Sequence, residues 1–345
     1  MTYQFSQTLF DAPLDIIGDI HGEIEALQSL MQQLGYDEQG NHPEQRKLIF
    51  VGDLCDRGPD SIAVIRLVKT LMEYGNAQCI LGNHELNLLI DSKREGNGWF
   101  FGSPHEDDQK PFHSQAASIN DQQWILNFLS DLPLVLQSSK LRIVHACWHQ
   151  EAIDMLKTVQ MDTLKEIYDY FVQHTEMFIQ QSGIAEYAEL EMQSYTAQLR
   201  DPSTRPPFLK NLAQGDLLEQ MQNPVKVLTS GAEVLAQHPF YAGGKWRMLD
   251  RLAWWEHYAD DVPVVIGHYW RNFKSSAEKQ GLFKQIKPLA WFGLKHNVFC
   301  VDYSVGKRYL DRHQQRPFTD RLAALRFPEN TVIFENGDMK NINRA

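Results

Sequence analysis

Asp19 and His21, one residue apart in Gly18-Asp19-Ile20-His21-Gly22, are side chains that ligate hard or borderline divalent metals. Asp53 stands at the head of Gly52-Asp53-Leu54-Cys55-Asp56-Arg57-Gly58, and Asn83 lies in Gly82-Asn83-His84-Glu85. From Asp19 to Asp53 is 34 residues, and from Asp53 to Asn83 is 30. Further on, His145 and Gly267-His268 repeat the pattern of a polar residue closing an apolar run. Oxygen and imidazole donors of this kind can surround two divalent ions. Such a pair, about 3.5–4 Å apart, lowers the pKa of a bridging water and stabilises an in-line displacement at phosphorus. Asp53, central among the three early loops, is the natural bridge. Arg57 on the same loop suits bidentate contact with phosphate oxygens. His84, beside Asn83, could protonate a departing alkoxide, with Asp56 holding its ring charged and oriented.

The elements that must position these residues are short β-type runs. Leu14–Ile17, Leu48–Val51 and Ala77–Leu81 each end in one of the three loops. Helices are expected between them, from about Glu23 to Leu34 and from Ser61 to about Tyr74, with apolar residues at helical spacing. A third helix runs through about Ile90, so the start reads β-α-β-α-β-α, the signature of a parallel sheet. In such sheets sites assemble beyond the carboxyl ends of strands. Residues 1–13 read as a lead-in and 96–112 as a loop; Asp121–Leu129 is expected helical, and 134–136 and 141–144 extended. From Glu151 to about Gln222 the pattern turns helical, broken at 200–208 by prolines, and strands resume at 263–266, 298–303, 323–327 and 331–335. The chain is expected to be one domain, 1–345, with 151–222 a helical, cap-like insertion.

Composition narrows the function classes. Hydrophobic residues make up 43% and charged residues 22% of the 345, as in ordinary globular proteins. A formal net charge of −11 argues against anionic membranes and extended nucleic acid as partners. The four cysteines are scattered without a CxxC, which suggests neither disulfides nor a thiolate zinc site. With no signal-like N-terminus and no run of 18 apolar residues, a cytoplasmic protein is expected. No pattern speaks to the oligomeric state. Trp254-Trp255, Trp291-Phe292 and Tyr303 read as core aromatics, in preference to a nucleobase platform or a residue facing the site.

In that order, the loops around Asp19, Asp53 and Asn83, the His145-Ala146 pair and the Gly267-His268 pair resemble the calcineurin-like metallophosphoesterases, within them the phosphoprotein phosphatase branch. That branch includes bacterial serine/threonine phosphatases, diadenosine tetraphosphatases and polynucleotide 3′-phosphatase domains. The match covers about residues 14–92, 141–147 and 262–268. The resemblance implies an α/β, four-layer αββα sandwich. It implies that Asp19, His21 and bridging Asp53 hold one metal, and that Asp53, Asn83, His145 and His268 hold the other. Arg57 would bind phosphate, His84 act as general acid and Asp56 as its partner. The family's second phosphate-binding arginine lies before the last histidine; Arg247 is the candidate here, with Arg251 behind it, and neither sits in a clean motif. Tyr269-Trp270 follow the Gly-His pair, where the wider superfamily places a second histidine.

The expected activity is phosphoester hydrolysis by a metal-bridging hydroxide. Mn²⁺ is the expected metal, with Fe or Zn as alternatives. The first substrate reading is a serine/threonine-phosphatase-like phosphomonoesterase, for which the glutamate of GNHE speaks. A dinucleoside polyphosphate hydrolase and a polynucleotide 3′-phosphatase are the alternatives, and a phosphate-sensing scaffold on a retired hydrolase fold is the non-enzyme rival. The substrate is thus a phosphoprotein or a small phosphorylated molecule.

Overall fold

The computed structural model describes residues 2–103, 114–272 and 281–342. Its contacts divide the chain into two compact units. One comprises residues 4–148 and 255–345; the other comprises 149–254 and the first three residues.

In the first unit the chain runs β1 (Ser6–Thr8), β2 (Leu14–Ile17), α1 (Ile24–Leu34), β3 (Lys47–Phe50), α2 (Ser61–Glu73), β4 (Ala77–Cys79), α3 (Asn83–Leu89), α4 (Gly98–Phe101), α5 (Ile119–Ser130), β5 (Val135–Gln137) and β6 (Arg142–Val144). The second unit contributes α6 (Gln150–Lys157), α7 (Leu164–Gln181), α8 (Ile184–Arg200), α9 (Lys210–Met221), α10 (Pro224–Ser230), β7 (Glu233–Ala242) and β8 (Lys245–Arg251). The first unit then resumes with β9 (Val264–Ile266), β10 (Val298–Cys300), α11 (Arg308–His313), β11 (Ala323–Phe327), β12 (Thr331–Phe334) and β13 (Met339–Asn341).

Two sheets form the first unit, ordered β13-β12-β11-β2-β3-β4 and β1-β5-β6-β9-β10. The β2-β3-β4 block is parallel, as the alternating strands and helices require, with Ile16 opposite Ile49 and Phe50 opposite Cys79. Strand periodicity sends Leu14 and Ile16 into a core shared with Ile49, Val51, Ile143, Val265 and Phe299, so both sheets bury their facing surfaces on one another. The other face of β2 carries Asp15, which is fully buried. It accepts hydrogen bonds from Tyr36 Oη (2.9 Å), Arg46 Nε (3.1 Å) and Arg326 Nε (2.9 Å). The long apolar stripe of α1 (Ala26, Leu27, Leu30, Met31, Leu34) is buried, and Gly35 ends the helix at φ 93°. Asp60 starts α2 by accepting from Ala63 N. This is the α/β sandwich with stacked sheets.

Within the first 112 residues, two stretches depart from expectation. Within the lead-in, Ser6–Thr8 pairs in parallel with Val135–Gln137. Its residues are polar because it is an edge strand, and the backbone supplies the pairing, with Gln137 Nε2 donating to Ser6 Oγ at 3.0 Å. Within 96–112, the described part carries α4, whose Trp99 and Phe100 are buried; residues 104–112 lie outside the described residues.

In the second unit, α8 and α9 pack together, with Leu209, Ala213 and Met248 at the centre of a small core. Glu191 on α8 accepts from the N–H groups of Asn211 (3.0 Å) and Leu212 (2.8 Å), two of the orphan donors that open α9. β7 and β8 form an antiparallel hairpin turned at Gly243-Gly244. The segment 151–222 falls wholly inside this unit, which extends beyond it through the hairpin. Among the described residues no helix is long and apolar enough to cross a membrane.

Candidate metal centre

Every residue of the centre stands just past the carboxyl end of a strand. Asp19 follows β2, Asp53 follows β3, Asn83 follows β4, His145 follows β6 and His268 follows β9. The loops are sewn to each other by backbone bonds: the N–H groups of Ile20 and His21 both reach Asp53 O at 2.9 Å, and Gly267 N reaches His145 O at 2.9 Å. The carboxylates sew them further. Asp19 accepts from His268 N (3.0 Å) and Asp53 from His84 N (3.1 Å), so each takes a donor from a loop bearing another candidate. His21, Asp53, Asp56, Arg57 and His268 all adopt positive φ between 50° and 70°. For residues with a Cβ that conformation costs about 1–3 kcal/mol each, and it persists where the surroundings dictate it.

Asp53 is the hub. Its Oδ1 is 3.3 Å from His145 Nε2, while its Oδ2 is 3.7 Å from His21 Nε2 and 3.9 Å from His84 Nε2. Two buried clusters therefore meet at one carboxylate, His21–Asp53–His84 and Asp53–His145–His268, each with ligand atoms within 4.8 Å of one another. Asn83 Oδ1 adds an oxygen to the second, 2.9 Å from His268 Nδ1 and 3.3 Å from His145 Nε2. Asp19 stands beside these clusters, its carboxylate turned to the His268 backbone.

The donor chemistry suits divalent cations. His21 Nδ1 donates to Cys55 O (3.0 Å) and His145 Nδ1 to Val51 O (2.7 Å), which leaves each Nε2 facing the centre. Burial, with the charge of Arg57 and the neighbouring His84, drives the His21 pKa well below the ordinary value, so its ring is neutral. Burial opposes charge on Asp53, but His145, His84 and His21 around it hold its carboxyl well below the usual range. Burial also opposes charge on His145, yet Asp53 and Asp19 outweigh it and raise this imidazole to about 10. Burial and the charges of Asp302 and Asp53 push Asp19 well up. The pocket thus gathers buried carboxylates that call for positive charge. The approach of the carboxylates is tight: a Cβ on Gly82 would lie 2.2 Å from Asp53 Oδ1, and one on Gly267 would lie 2.1 Å from Asp19 Oδ1. Oxygen and imidazole donors, preset tautomers and close carboxylates fit divalent ions.

His84 Nδ1 is 2.6 Å from Asp56 Oδ2, and Asp56 Oδ1 accepts from Trp99 Nε1 at 2.6 Å. Arg57 donates from Nη1 to His21 Nε2 (2.8 Å) and from Nη2 to His84 Nε2 (3.1 Å), which places its guanidinium at the mouth of the first cluster. Arg247 belongs to the other compact unit. There its Nε donates to Ala242 O, and its charge acts on Asp216 and Glu233. His149, close in sequence to His145, is the N-cap of α6 and accepts from Ala152 N (3.2 Å). Trp255, Trp291 and Tyr303 are buried, and Tyr303 Oη donates to Pro288 O.

Two residues escaped the sequence reading. Glu85, weighed there only as a substrate discriminator, is fully buried and accepts four backbone N–H groups: Asp53 (2.8 Å) and Gly82 (3.0 Å) on Oε2, Leu54 (2.8 Å) and Cys55 (3.2 Å) on Oε1. It clamps the Asp53 loop to the Asn83 loop. Asp302 follows β10 and accepts from Trp270 N and Ser304 N, both at 2.7 Å. Burial raises its pKa against the pull of those two donors. As a polar residue ending a strand, it carries the signal by which its neighbours were found.

A two-sheet α/β fold whose strand ends gather buried carboxylates and imidazoles defines a metal-dependent class of protein. The sequence model of the calcineurin-like phosphoesterases matches residues 12–188, and the chain belongs to that family. The family implies divalent metal ions. Among characterised relatives, an asymmetrical bis(5′-nucleosyl)-tetraphosphatase PrpE of Oceanobacillus iheyensis is 49% identical over 74 residues, 21% of this chain and 30% of that protein. A symmetrical bis(5′-nucleosyl)-tetraphosphatase of Marinomonas sp. is 34% identical over 157 residues, 44% of this chain and 51% of that protein. The chain therefore spans about half or less of the length of these relatives. A cold-active protein-tyrosine phosphatase of a psychrophilic Shewanella is similar over 99% of this chain and 82% of its own, at 15% identity and a TM-score of 0.46.

Proposed function

We propose that this protein is a phosphoester hydrolase that works with two divalent ions sharing Asp53. The observation that carries the reading is the division of the Asp53 carboxylate, Oδ1 towards His145 and Oδ2 towards His21 and His84. Asp19, His21 and Asp53 are assigned to one ion, and Asp53, Asn83, His145 and His268 to the other. Ions bound there would lower the pKa of water and neutralise phosphoryl charge. The protein's own groups do the rest. Arg57 orients the phosphate through paired N–H donors. His84 delivers a proton to the leaving oxygen from Nε2 once the ring is charged and Arg57, which donates to Nε2 in this structure, has turned to the phosphate, because Nδ1 is committed to Asp56. Trp99, bonded to the other Asp56 oxygen, keeps that carboxylate from turning. Mn²⁺ is the metal we propose to supply first.

For the substrate, the names of the relatives favour dinucleoside polyphosphates, the alternative reading of the sequence, over phosphoproteins. We also propose that the hydrolase is one domain carrying 151–222 as an insertion. All six ligand candidates lie outside 149–254, which supports this. The test is turnover, with and without added Mn²⁺, of an aryl phosphate, a phosphoserine peptide, diadenosine tetraphosphate and a 3′-phosphate oligonucleotide, read as phosphate released from the monoesters and as ADP, or ATP with AMP, formed from the dinucleotide. Metal-dependent turnover with preference for the dinucleotide is expected. No turnover of any of them with metal bound would refute the hydrolase, and preference for the peptide would restore the phosphatase reading.

A further inference from the structure

Trp270 stands two residues past His268, partly exposed, with its backbone held at φ 50°. Asp302 fixes it there by accepting its N–H, and fixes Ser304, at φ 66°, with its other oxygen. The indole so presented carries two cations. Arg57 Cζ lies 4.5 Å from the ring centroid and Lys307 Nζ lies 5.2 Å from it. Lys307 ends the 3-10 turn Val305–Lys307 and is pinned at the rim of the centre by Gly306, where a Cβ would come within 2.4 Å of His21 Cδ2 and 3.2 Å of Arg57 Nη1.

Several other buried or half-buried cations of this unit have acids, Arg46 and Arg326 reaching Asp15 and Arg308 and Arg312 reaching Glu335 and Glu23, while Arg271 donates to the carbonyls of Cys300, Lys287 and Ala290. Among the described residues no carboxylate comes within 4 Å of Arg57 or Lys307; Asp320 feels the Lys307 charge from further off. Two like charges on one ring repel each other, while each is attracted to the ring face. A phosphate at Arg57, whose Nη atoms face His21 and His84, uses one of them. The other is left for an anion attached to it.

We propose that Lys307, seated on Trp270 beside Arg57, forms a second anionic subsite for the phosphate adjoining the one attacked, and so selects substrates with two or more contiguous phosphates. This rests on the hydrolase reading, and the test separates the two. In the metal-loaded full chain, Lys307→Met should lower the ratio of kcat/KM for diadenosine tetraphosphate to that for an aryl phosphate by about 10- to 100-fold, mainly through KM. Lys307→Arg should recover most of it. Calorimetry gives a readout free of turnover: the wild type should bind methylenediphosphonate, whose P–C–P bridge cannot be hydrolysed, about tenfold or more tightly than orthophosphate, and Lys307→Met should abolish that preference. Equal losses on both substrates, or a preference for the diphosphonate that survives Lys307→Met, would overturn the subsite. If neither substrate turns over but the binding preference behaves as stated, the hydrolase reading fails and the subsite stands.

Discussion

Glu85→Gln tests whether the metal loops depend on a carboxylate that touches no metal ligand side chain. In the wild type, both oxygens accept two backbone N–H groups each, all buried. Glutamine keeps the shape but turns one oxygen into a donor, so two N–H groups lose their acceptor and face another N–H. A buried orphan donor costs about 1–3 kcal/mol, which sets a gross loss of about 2–6 kcal/mol. Against this, burial and the nearby Asp53 raise the Glu85 pKa, so removing the charge recovers part of the cost. A net loss of about 2–4 kcal/mol is expected, a large share of a typical domain's 5–15 kcal/mol. Because the clamp joins the loops of Asp53 and Asn83, divalent metal affinity should also fall, by about 10- to 100-fold as for other groups that orient ligands. Urea unfolding of the metal-free protein reads the first effect and metal titration the second, with exposed Glu25→Gln as the control. A Glu85→Gln protein as stable as the control, with wild-type metal affinity, would refute the clamp.

The remaining expectations are shorter. Asp53→Asn should lower kcat/KM about 100-fold or more and reduce bound metal, measured by phosphate release and elemental analysis, because the two ions proposed to share Asp53 would lose an anionic ligand. His84→Ala should retain metal and lose about 10²–10⁴-fold on serine phosphate, with a smaller loss on an activated aryl phosphate; equal losses would assign His84 to structure. Asp15→Ala should destabilise the fold by about 1–3 kcal/mol in urea unfolding, since it removes the acceptor shared by Arg46, Arg326 and Tyr36, while Glu329 still holds Arg46.

Much of the first unit was legible because its strands are unbroken apolar runs and its helices carry strict 3.6-residue stripes. Leu14–Ile17 and Ala323–Phe327 coincide with the expected bounds. What escaped lies where side chains do not report the backbone. β1 has only polar residues, and its pairing comes from the main chain of β5. The β7–β8 hairpin is amphipathic and irregular, with a register shift between Leu235 and Phe240, though Gly243-Gly244 between two β-rich runs was a readable turn signal. Asp15 interrupts an apolar strand, and its arginine partners stand 31 and 311 residues away, a pairing that no local window contains.

The glycines of the site motifs carry a related lesson. A glycine before an aspartate or histidine at a strand end reads locally as a turn former, and on that reading each motif could be judged alone. Gly82 has φ −93°, an ordinary value, so backbone freedom is not what it supplies. It supplies room: the Oδ1 of Asp53, from a different motif, occupies the space of its missing Cβ. Gly267 does the same for Asp19, whose carboxylate accepts the N–H of the next residue, His268. Each glycine thus belongs to one candidate loop and is required by the carboxylate of another. That is why a single Gly-Asp pair says little while the ordered set says much. The constraint that keeps glycine at these positions acts between motifs, across a centre where two carboxylates must come closer to backbone than any side chain permits.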